Sequence, residues 1–558
     1  MLQITCHGAV GEIGGNKIML EDNGSALMLD FGKSFGASGM YFDEFLQPRT
    51  NSCLRDLLAL GLLPAIPGIY RRDLLIHGGA WDSVAGRGVP SSARRMFSSE
   101  LESYDDYTSA RGPRLDGILL SHGHTDHCQD LSYVDPRIPV FCTQPTYAIL
   151  RAAQDIGRGG FESEICECGI RECGECGKSS TFPGEPKIGT GDQDVPRAIN
   201  VIEAHSPFSV GGFTVEAIPV DHSVPGACAY LIECPSGKTV FYSGDVRFHG
   251  RFSLGESNLT TDLLARTAGL APDVFITEGT RILDRDGNVS TKGDDEQDVE
   301  NTIRAAIEGC RGLAIIDFGW KDTTRFQTIV NVARATGRIL AVSPKVAYLW
   351  EMLRAADPAG YSDLSENSSV RVYLKRTDSM TYSFGDYSSS KHLAGITADW
   401  GPRSQGMKAA FAALDEGYLN PRLRHVREGL RAYDIAADPT RYILHAGYFD
   451  MNELFDVLPP PGSVFVRAAT EPFSDDMVLD EIKLKNWLDH FGINDGQGIL
   501  RSHVSGHANG TDLLRFISDA KPATVIPIHT ERADVFEREL GGECEVIAPA
   551  LGSPISIG

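Results

Sequence analysis

The apolar positions of this chain come in short runs, and several of those runs end on an acid or a histidine. Ala26–Leu29 stops at Asp30, Ile118–Leu120 stops at Ser121-His122, and Phe241-Tyr242 leads through Ser243-Gly244 to Asp245. Val274–Thr277 ends on Glu278, and Val525–Ile528 ends on His529. Apolar runs of this length, bounded by turn residues, read as buried strands. Residues 1–32 alternate apolar stretches with glycine-rich turns, notably Gly11–Asn16, which suits paired strands opening a β-sandwich. Further strands are expected at Phe213–Ile218, Ala229–Ile232 and Thr239–Tyr242. From about residue 283 to 468 the rhythm changes. Leu313–Ile316 precedes a helical stretch Arg325–Thr336, and Arg338–Val342 precedes Val346–Ala355. Strands alternating with helices predict a parallel α/β sheet.

Between these regions the pattern is weaker. Residues 33–113 read as an elaborated loop with one helix in the rhythm of Leu54 to Leu63, overhanging the site. Tyr147–Asp155 reads as a helix, and residues 372–405 are polar, serine-rich and without periodicity. Cys166, Cys168, Cys173 and Cys176 follow a CxC then CxxC spacing, with glycine after three of the four. Four thiolates close in sequence, with glycines that let backbone amides approach them, predict a structural zinc within a cysteine-rich insertion at 161–180. A reduced or redox-active loop is the competing reading.

Composition adds bounds. A chain of 558 residues calls for two or more domains, and 42 % hydrophobic residues suffices for large cores. No stretch is long and apolar enough to span a bilayer. The start, Met1-Leu2-Gln3-Ile4-Thr5-Cys6-His7, lacks the basic and apolar regions of a signal peptide. Twelve cysteines without a secretion signal suggest reduced thiols or metal ligands, so a cytoplasmic location is expected. The net charge of −23 argues against a tight, non-specific duplex binder. A locally basic cleft remains open, with Arg247, Arg251, Arg281, Lys321 and Arg325 as candidates to line it.

The candidate chemistry is concentrated in Ser121-His122-Gly123-His124-Thr125-Asp126-His127. Four metal-competent side chains fall within six positions at a strand end, from which imidazoles and a carboxylate can converge. Histidine nitrogen and aspartate oxygen are the ligands of catalytic zinc, whereas structural zinc leans on cysteine.

This run resembles the ligand motif of the metallo-β-lactamase superfamily, and the other motifs stand in the expected order. Asp30 resembles the first-motif aspartate, His222 in Asp221-His222-Ser223 the third-motif histidine, Asp245 the fourth motif, and His529 the last ligand. The resemblance implies one zinc held by His122, His124 and His222, and a second held by Asp126, His127 and His529. Asp245 would bridge them, and Asp30 would orient ligands from outside the first set. Two such ions activate water and stabilise charge on the attacking and leaving oxygens.

A second motif set is similar to that of the β-CASP nucleases, and the whole pattern most resembles ribonuclease J. Glu278 matches motif A, His507 in His503-Val504-Ser505-Gly506-His507 matches motif B, and His529 matches motif C. Phe318–Ile329 resembles an early stretch of the β-CASP insert. The resemblance implies an αββα metallo-β-lactamase sandwich in two parts, residues 1–282 and 469–558, with a parallel α/β β-CASP domain inserted at 283–468. It implies a zinc-dependent ribonuclease acting on single-stranded RNA as a 5′-to-3′ exonuclease, an endonuclease or both, with 5′-phosphate products. His503, Ser505 and Gly506 would cradle a phosphate, Glu278 and His507 would handle the leaving-group proton, and Asp126 and Asp245 would complete the catalytic set. The chain ends soon after His529, without the extra C-terminal domain common in ribonuclease J, which weakens the expectation of a homodimer. The rivals are a DNA nuclease on the same scaffold, disfavoured by His529, a small-molecule metallo-hydrolase, disfavoured by the insert, and a silent RNA-binding subunit, disfavoured by the complete ligand set.

Overall fold

The computed structural model describes the chain except residues 44, 51, 86, 98, 157–160, 177–179, 181–182, 252–258, 365–366, 377–428, 471 and 473–474. The serine-rich stretch expected over 372–405 lies, from 377 onward, outside the described residues.

Two seven-stranded sheets face each other. The first has the order Pro554–Ile557, Leu2–Cys6, Ile18–Asp22, Ser25–Leu29, Gly117–Leu119, Val140–Thr143, Ile199–Ile202. The second runs Glu545–Val546, Thr524–Pro527, Val274–Thr277, Thr239–Tyr242, Cys228–Glu233, Phe213–Pro219, Phe208–Val210. Strand side chains alternate between faces, so each strand feeds two layers. Leu27, Leu29 and Leu119 from the first sheet meet Val215, Tyr230, Val240 and Ile526 from the second in the central core. Met28 and Ile118 point the other way, onto Leu54, Leu57 and Leu131. Phe241, Phe275 and Val525 face outward onto Leu513, Phe516 and Val535. The result is the expected αββα layering.

The layer over the first sheet differs from its expectation. Residues 33–113 carry a succession of short helices, including Cys53–Ala59, Arg72–Leu75 and Tyr104–Arg111, where one helix was expected. Their apolar residues, among them Leu63, Ile69, Tyr70 and Leu74, are buried against the sheet. Without an extended amphipathic rhythm, these brief turns were not legible as a packed layer.

Strands Val274–Thr277 and Thr524–Pro527 are direct parallel neighbours. The chain between them builds a third, all-parallel sheet of order Val370–Val372, Ile339–Val342, Tyr442–His445, Ala314–Asp317, Val464–Arg467, Leu500–Arg501. Helices Glu296–Gly309, Thr323–Thr336 and Pro344–Ala356 cover one face, together with Ile149, Val224 and Val504 of the sandwich. The third sheet and its packing continue past residue 468. Leu484 and Leu488 of helix Asp475–His490 pack with Leu313, Ile315 and Phe465, and Leu500–Arg501 pairs with Val464–Arg467, so the insert sheet ends at Arg501. Among the described residues, no helix is long and apolar enough to cross a membrane.

Candidate metal centre

In each sheet the strands that carry the candidate ligands run parallel. Ser25–Leu29 pairs in parallel with Gly117–Leu119, and Thr239–Tyr242, Val274–Thr277 and Thr524–Pro527 are mutually parallel neighbours. Their C-terminal ends therefore share one edge, where Asp30, His122, Asp245, Glu278 and His529 emerge. The loop between His122 and His127 is fastened from both sides. The Asp126 carbonyl accepts from the N–H groups of Gly15 and Asn16, both at 3.1 Å, and the His127 carbonyl accepts from Phe31 N–H at 2.8 Å. Gly32 is needed here because a Cβ would come 1.7 Å from the Asp126 carbonyl oxygen. Asp30 and His529 both hold left-handed backbone angles, φ 56° and 52°. Such strain costs on the order of 1–3 kcal/mol per residue and is concentrated at functional sites.

The side chains converge into two clusters that share one atom. His122 Nε2 and His222 Nε2 each lie 3.1 Å from His124 Nδ1, and they lie 3.6 and 3.8 Å from Asp245 Oδ2. On the other side of the same oxygen, His127 Nε2 is at 3.2 Å and His529 Nε2 at 3.8 Å. Asp126 Oδ2 closes the second cluster, 3.3 Å from His529 Nε2 and 3.8 Å from His127 Nε2. Tetrahedral ligands about 2.0–2.1 Å from an ion stand roughly 3.3 Å from one another. Both clusters have that spacing. His127 Nε2 and Asp245 Oδ1 are buried without a hydrogen-bond partner, an arrangement a cation would satisfy. The residues of both clusters could therefore hold divalent metal.

A ring of outer partners sets the tautomers. Asp30 Oδ2 accepts from His127 Nδ1 at 2.8 Å, from the Ser121 hydroxyl at 2.7 Å and from the Tyr242 hydroxyl, and its Oδ1 accepts from Ser121 N–H. His222 Nδ1 donates to the Gly506 carbonyl, and His529 Nδ1 lies 2.8 Å from the Thr280 hydroxyl. These contacts occupy the far nitrogen and leave the near one free for a metal. Among the outer partners, sequence reasoning found Asp30 but missed Ser121, Tyr242, Thr280 and the carbonyl of Gly506. Only the adjacency of Ser121 to His122 carried a signal.

Electrostatics divide the ligands. Burial, reinforced by neighbouring imidazoles, pushes His122 and His222 well below the usual histidine range. Burial also brings His124 down to about 4. All three are neutral ligands. Burial opposes charge on Asp245 and Asp126, but His127 and its neighbours outweigh it and hold both carboxyls below their ordinary values. His127 is lifted well above its usual value by Asp245, Asp126 and Asp30 despite its burial.

Glu278 and His507 form a third group against Asp245. His507 Nδ1 lies 2.8 Å from Glu278 Oε2, and Glu278 Oε1 accepts from Val246 N–H at 2.9 Å. Burial works against charge on His507, yet Glu278 and Asp245 lift it to about 9. In the loop before it, the Ser505 hydroxyl accepts from His507 N–H at 3.1 Å. Gly506 lies against His222, where a Cβ would come 2.9 Å from the ring. His503 Nδ1 lies 3.3 Å from both the Ala468 carbonyl and Arg325 Nη1, and its Nε2 is buried without a partner.

Other expectations do not fit. Three of the five cations proposed for a basic cleft are paired at the junction of sandwich and insert. Arg247 bonds Asp221 at 2.8 Å, Arg251 bonds Glu300 at 3.2 Å, and Arg325 grips Glu296 at 2.8 and 3.1 Å. Lys321 donates to the Gly123 carbonyl at 2.9 Å, a tie from the insert to the ligand loop that the sequence did not announce. The four cysteines do not assemble. Cys166 and Cys168 are buried, Cys168 taking a hydrogen bond from Arg197, while Cys173 pairs opposite Ile188 farther along the hairpin Glu167–Glu175/Pro186–Pro196. Five strand positions separate Cys168 from Cys173, roughly 15 Å at about 3.3 Å per residue. Among the described residues the metal-competent groups involve only the histidines and acids of the main site. A continuous strand runs where the CxC–CxxC spacing suggested a tight knuckle.

Comparison with known proteins agrees with this architecture. Residues 100–171 match a β-lactamase superfamily domain, and residues 500–549 match a Zn-dependent metallo-hydrolase RNA specificity domain. Ribonuclease J of Sinorhizobium meliloti is 24 % identical over 75 % of this chain and 58 % of its own length. Ribonuclease J of Mycobacterium tuberculosis is 22 % identical over 74 % of this chain and 58 % of its own length. Endoribonuclease YSH1 of Candida albicans is 30 % identical over 32 % of this chain and 18 % of its own length. The chain thus spans a little over half the length of the ribonuclease J relatives. A crystal structure of a protein of unknown function from Enterococcus faecalis V583 shares the fold, with a TM-score of 0.63, 18 % identity and 99 % of both chains covered. The sandwich and the match over residues 100–171 make the chain similar to the metallo-β-lactamase superfamily. With its inserted parallel sheet it resembles the β-CASP nucleases, and it is similar to ribonuclease J. The match to a metallo-hydrolase domain implies a divalent metal, which the histidine and aspartate clusters could hold.

Proposed function

We propose that this chain is a zinc-dependent ribonuclease that hydrolyses phosphodiester bonds of single-stranded RNA and leaves 5′-phosphate products. The observation that carries the reading is Asp245 Oδ2, set between two ligand clusters with the Glu278–His507 pair alongside. His122, His124 and His222 would hold one zinc, Asp126, His127 and His529 the other, and Asp245 both. Bound there, the two ions supply Lewis acidity and lower the pKa of water. His507, held by Glu278, is placed to give its proton to the departing 3′ oxygen as water adds across the P–O3′ bond. Asp126, the more exposed of the two ligand carboxylates, is the group we assign to the proton released by water. His503 Nε2, buried and unpartnered, and the Ser505 hydroxyl are the groups we assign to a backbone phosphate.

The domain division we propose follows the sheets, with sandwich to about 282, insert to Arg501 and sandwich thereafter. Two zincs and no third at the cysteine hairpin belong to the same proposal. So does a cytoplasmic location, which the twelve unpaired thiols support. A homodimer is an assembly that sedimentation would test.

The direct test is the metal-loaded protein with 5′-labelled single-stranded RNA and DNA of one sequence, and bis-nitrophenyl phosphate beside them. RNA cleavage abolished by chelation is expected. Faster DNA cleavage would favour the repair-type reading, and activity on the small diester alone would leave a small-molecule hydrolase.

A further inference from the structure

Six large apolar side chains are left exposed in the two segments that begin at the turns flanking the ligand loop. They are Ile13, Phe35, Met40, Tyr41, Phe45 and Leu46, exposed by 42 to 91 %. Scattered apolar surface residues need no explanation, but a group of them bordering a cleft marks an interaction site.

The turns that carry Ile13 and Phe35 are fastened to the ligand loop. Gly15 and Asn16 donate to the Asp126 carbonyl, and Lys33 N–H donates to the Thr125 carbonyl at 3.2 Å. A Cβ on Gly14 would come 2.8 Å from the Asp126 side chain. The two turns are also tied to each other, by the Ser34 hydroxyl donating to the Glu12 carboxylate and by the contact of Gly15 with Ser34. On its other flank the first turn meets the last ligand, whose N–H donates to the Ala9 carbonyl at 2.9 Å. Ile13 and Phe35 therefore stand at the rim of the Asp126–His127–His529 cluster.

We infer that Ile13 and Phe35, continued by Met40 and Tyr41, form an apolar subsite that stacks a base of single-stranded RNA next to the scissile phosphate. The inference rests on the ribonuclease reading. Charge offers this protein little affinity for a polyanion, since its net charge is −23 and Arg247, Arg251 and Arg325 are already paired. Contacts to the bases would then add affinity to what the metal site and the phosphate contacts supply. Stacking on apolar and aromatic side chains provides it, tolerates any sequence, and needs unpaired bases.

The test compares kcat/KM for a single-stranded oligoribonucleotide with kcat/KM for bis-nitrophenyl phosphate, in the zinc-loaded full chain. Phe35→Ala combined with Ile13→Ala should lower the ratio of the two by about tenfold or more, the order that loss of one stacked base produces. The loss should appear mainly in KM for RNA, and Phe35→Trp should restore it. An unchanged ratio, or equal losses on both substrates, would overturn the subsite while leaving the ribonuclease reading intact. A wild-type chain that hydrolyses the small diester but not RNA would overturn both.

Discussion

Asp30 accepts a 2.8 Å hydrogen bond from His127 Nδ1 at the point where the first sheet delivers its ligands. The contact turns Nε2 of the same ring toward Asp245, 3.2 Å away. The other hydrogen bonds of Asp30 come from Ser121 and Tyr242, neither of them a candidate ligand. It works by orientation, and loss of such a partner typically costs about 10- to 100-fold in metal affinity. Asp30→Ala should therefore weaken zinc binding by that order in competition with a chromogenic chelator. Unaltered affinity would show that His127 is oriented without it.

The Gly506 carbonyl does the same for His222, and the glycine has no room for a side chain. Gly506→Ala should displace the imidazole and lower zinc occupancy at the His122–His124–His222 cluster. Elemental analysis after dialysis would report the loss, and full occupancy would mean that the loop yields without moving the ligand.

Arg325 and Glu296 form a fully buried pair between two helices of the insert. Removing one partner of such a pair strands the other and costs about 3–5 kcal/mol. Arg325→Ala should lower the urea midpoint correspondingly. A loss below about 1 kcal/mol would indicate that water reaches Glu296 at the junction.

The proton on His507 gives activity an alkaline limit. Its folded pKa is raised, to about 9, so the charged form prevails at neutral pH and is lost as pH rises through that value. A cation held by Asp245 would weaken that carboxylate's pull and leave Glu278 as the main source of lift. Glu278→Gln should move the alkaline limb of kcat to lower pH, by about one unit or more. A limb that stays in place would take His507 out of proton transfer.

Much of this architecture was legible in the chain itself. The ligand-bearing strands could be read because buried parallel strands give short apolar runs, and the ligands are the polar residues that end them, as at Leu29–Asp30 and Ile528–His529. The insert was legible through its alternating strands and helices. Its end was not, because helix Asp475–His490 and the two-residue strand Leu500–Arg501 carry no signal of which sheet they join. The cysteine hairpin was misread for a related reason. Spacing along a chain limits distance only when the backbone turns, and a strand carries Cys168 and Cys173 apart. The cleft cations were misread because sequence shows a charge and not its partner. Asp221, Glu296 and Glu300 are distant in sequence from the arginines they neutralise or, like Asp221, sit unremarked inside a ligand motif.

The central claim is a two-zinc site, bridged by Asp245, that cleaves RNA. Its most direct test is titration of zinc into the stripped protein, with cleavage of 5′-labelled single-stranded RNA followed at each step. Activity should rise to a plateau at two equivalents, with no further zinc retained, and Asp245→Ala should stay inactive throughout. A plateau at one equivalent, or cleavage by the stripped protein, would contradict the bridged pair.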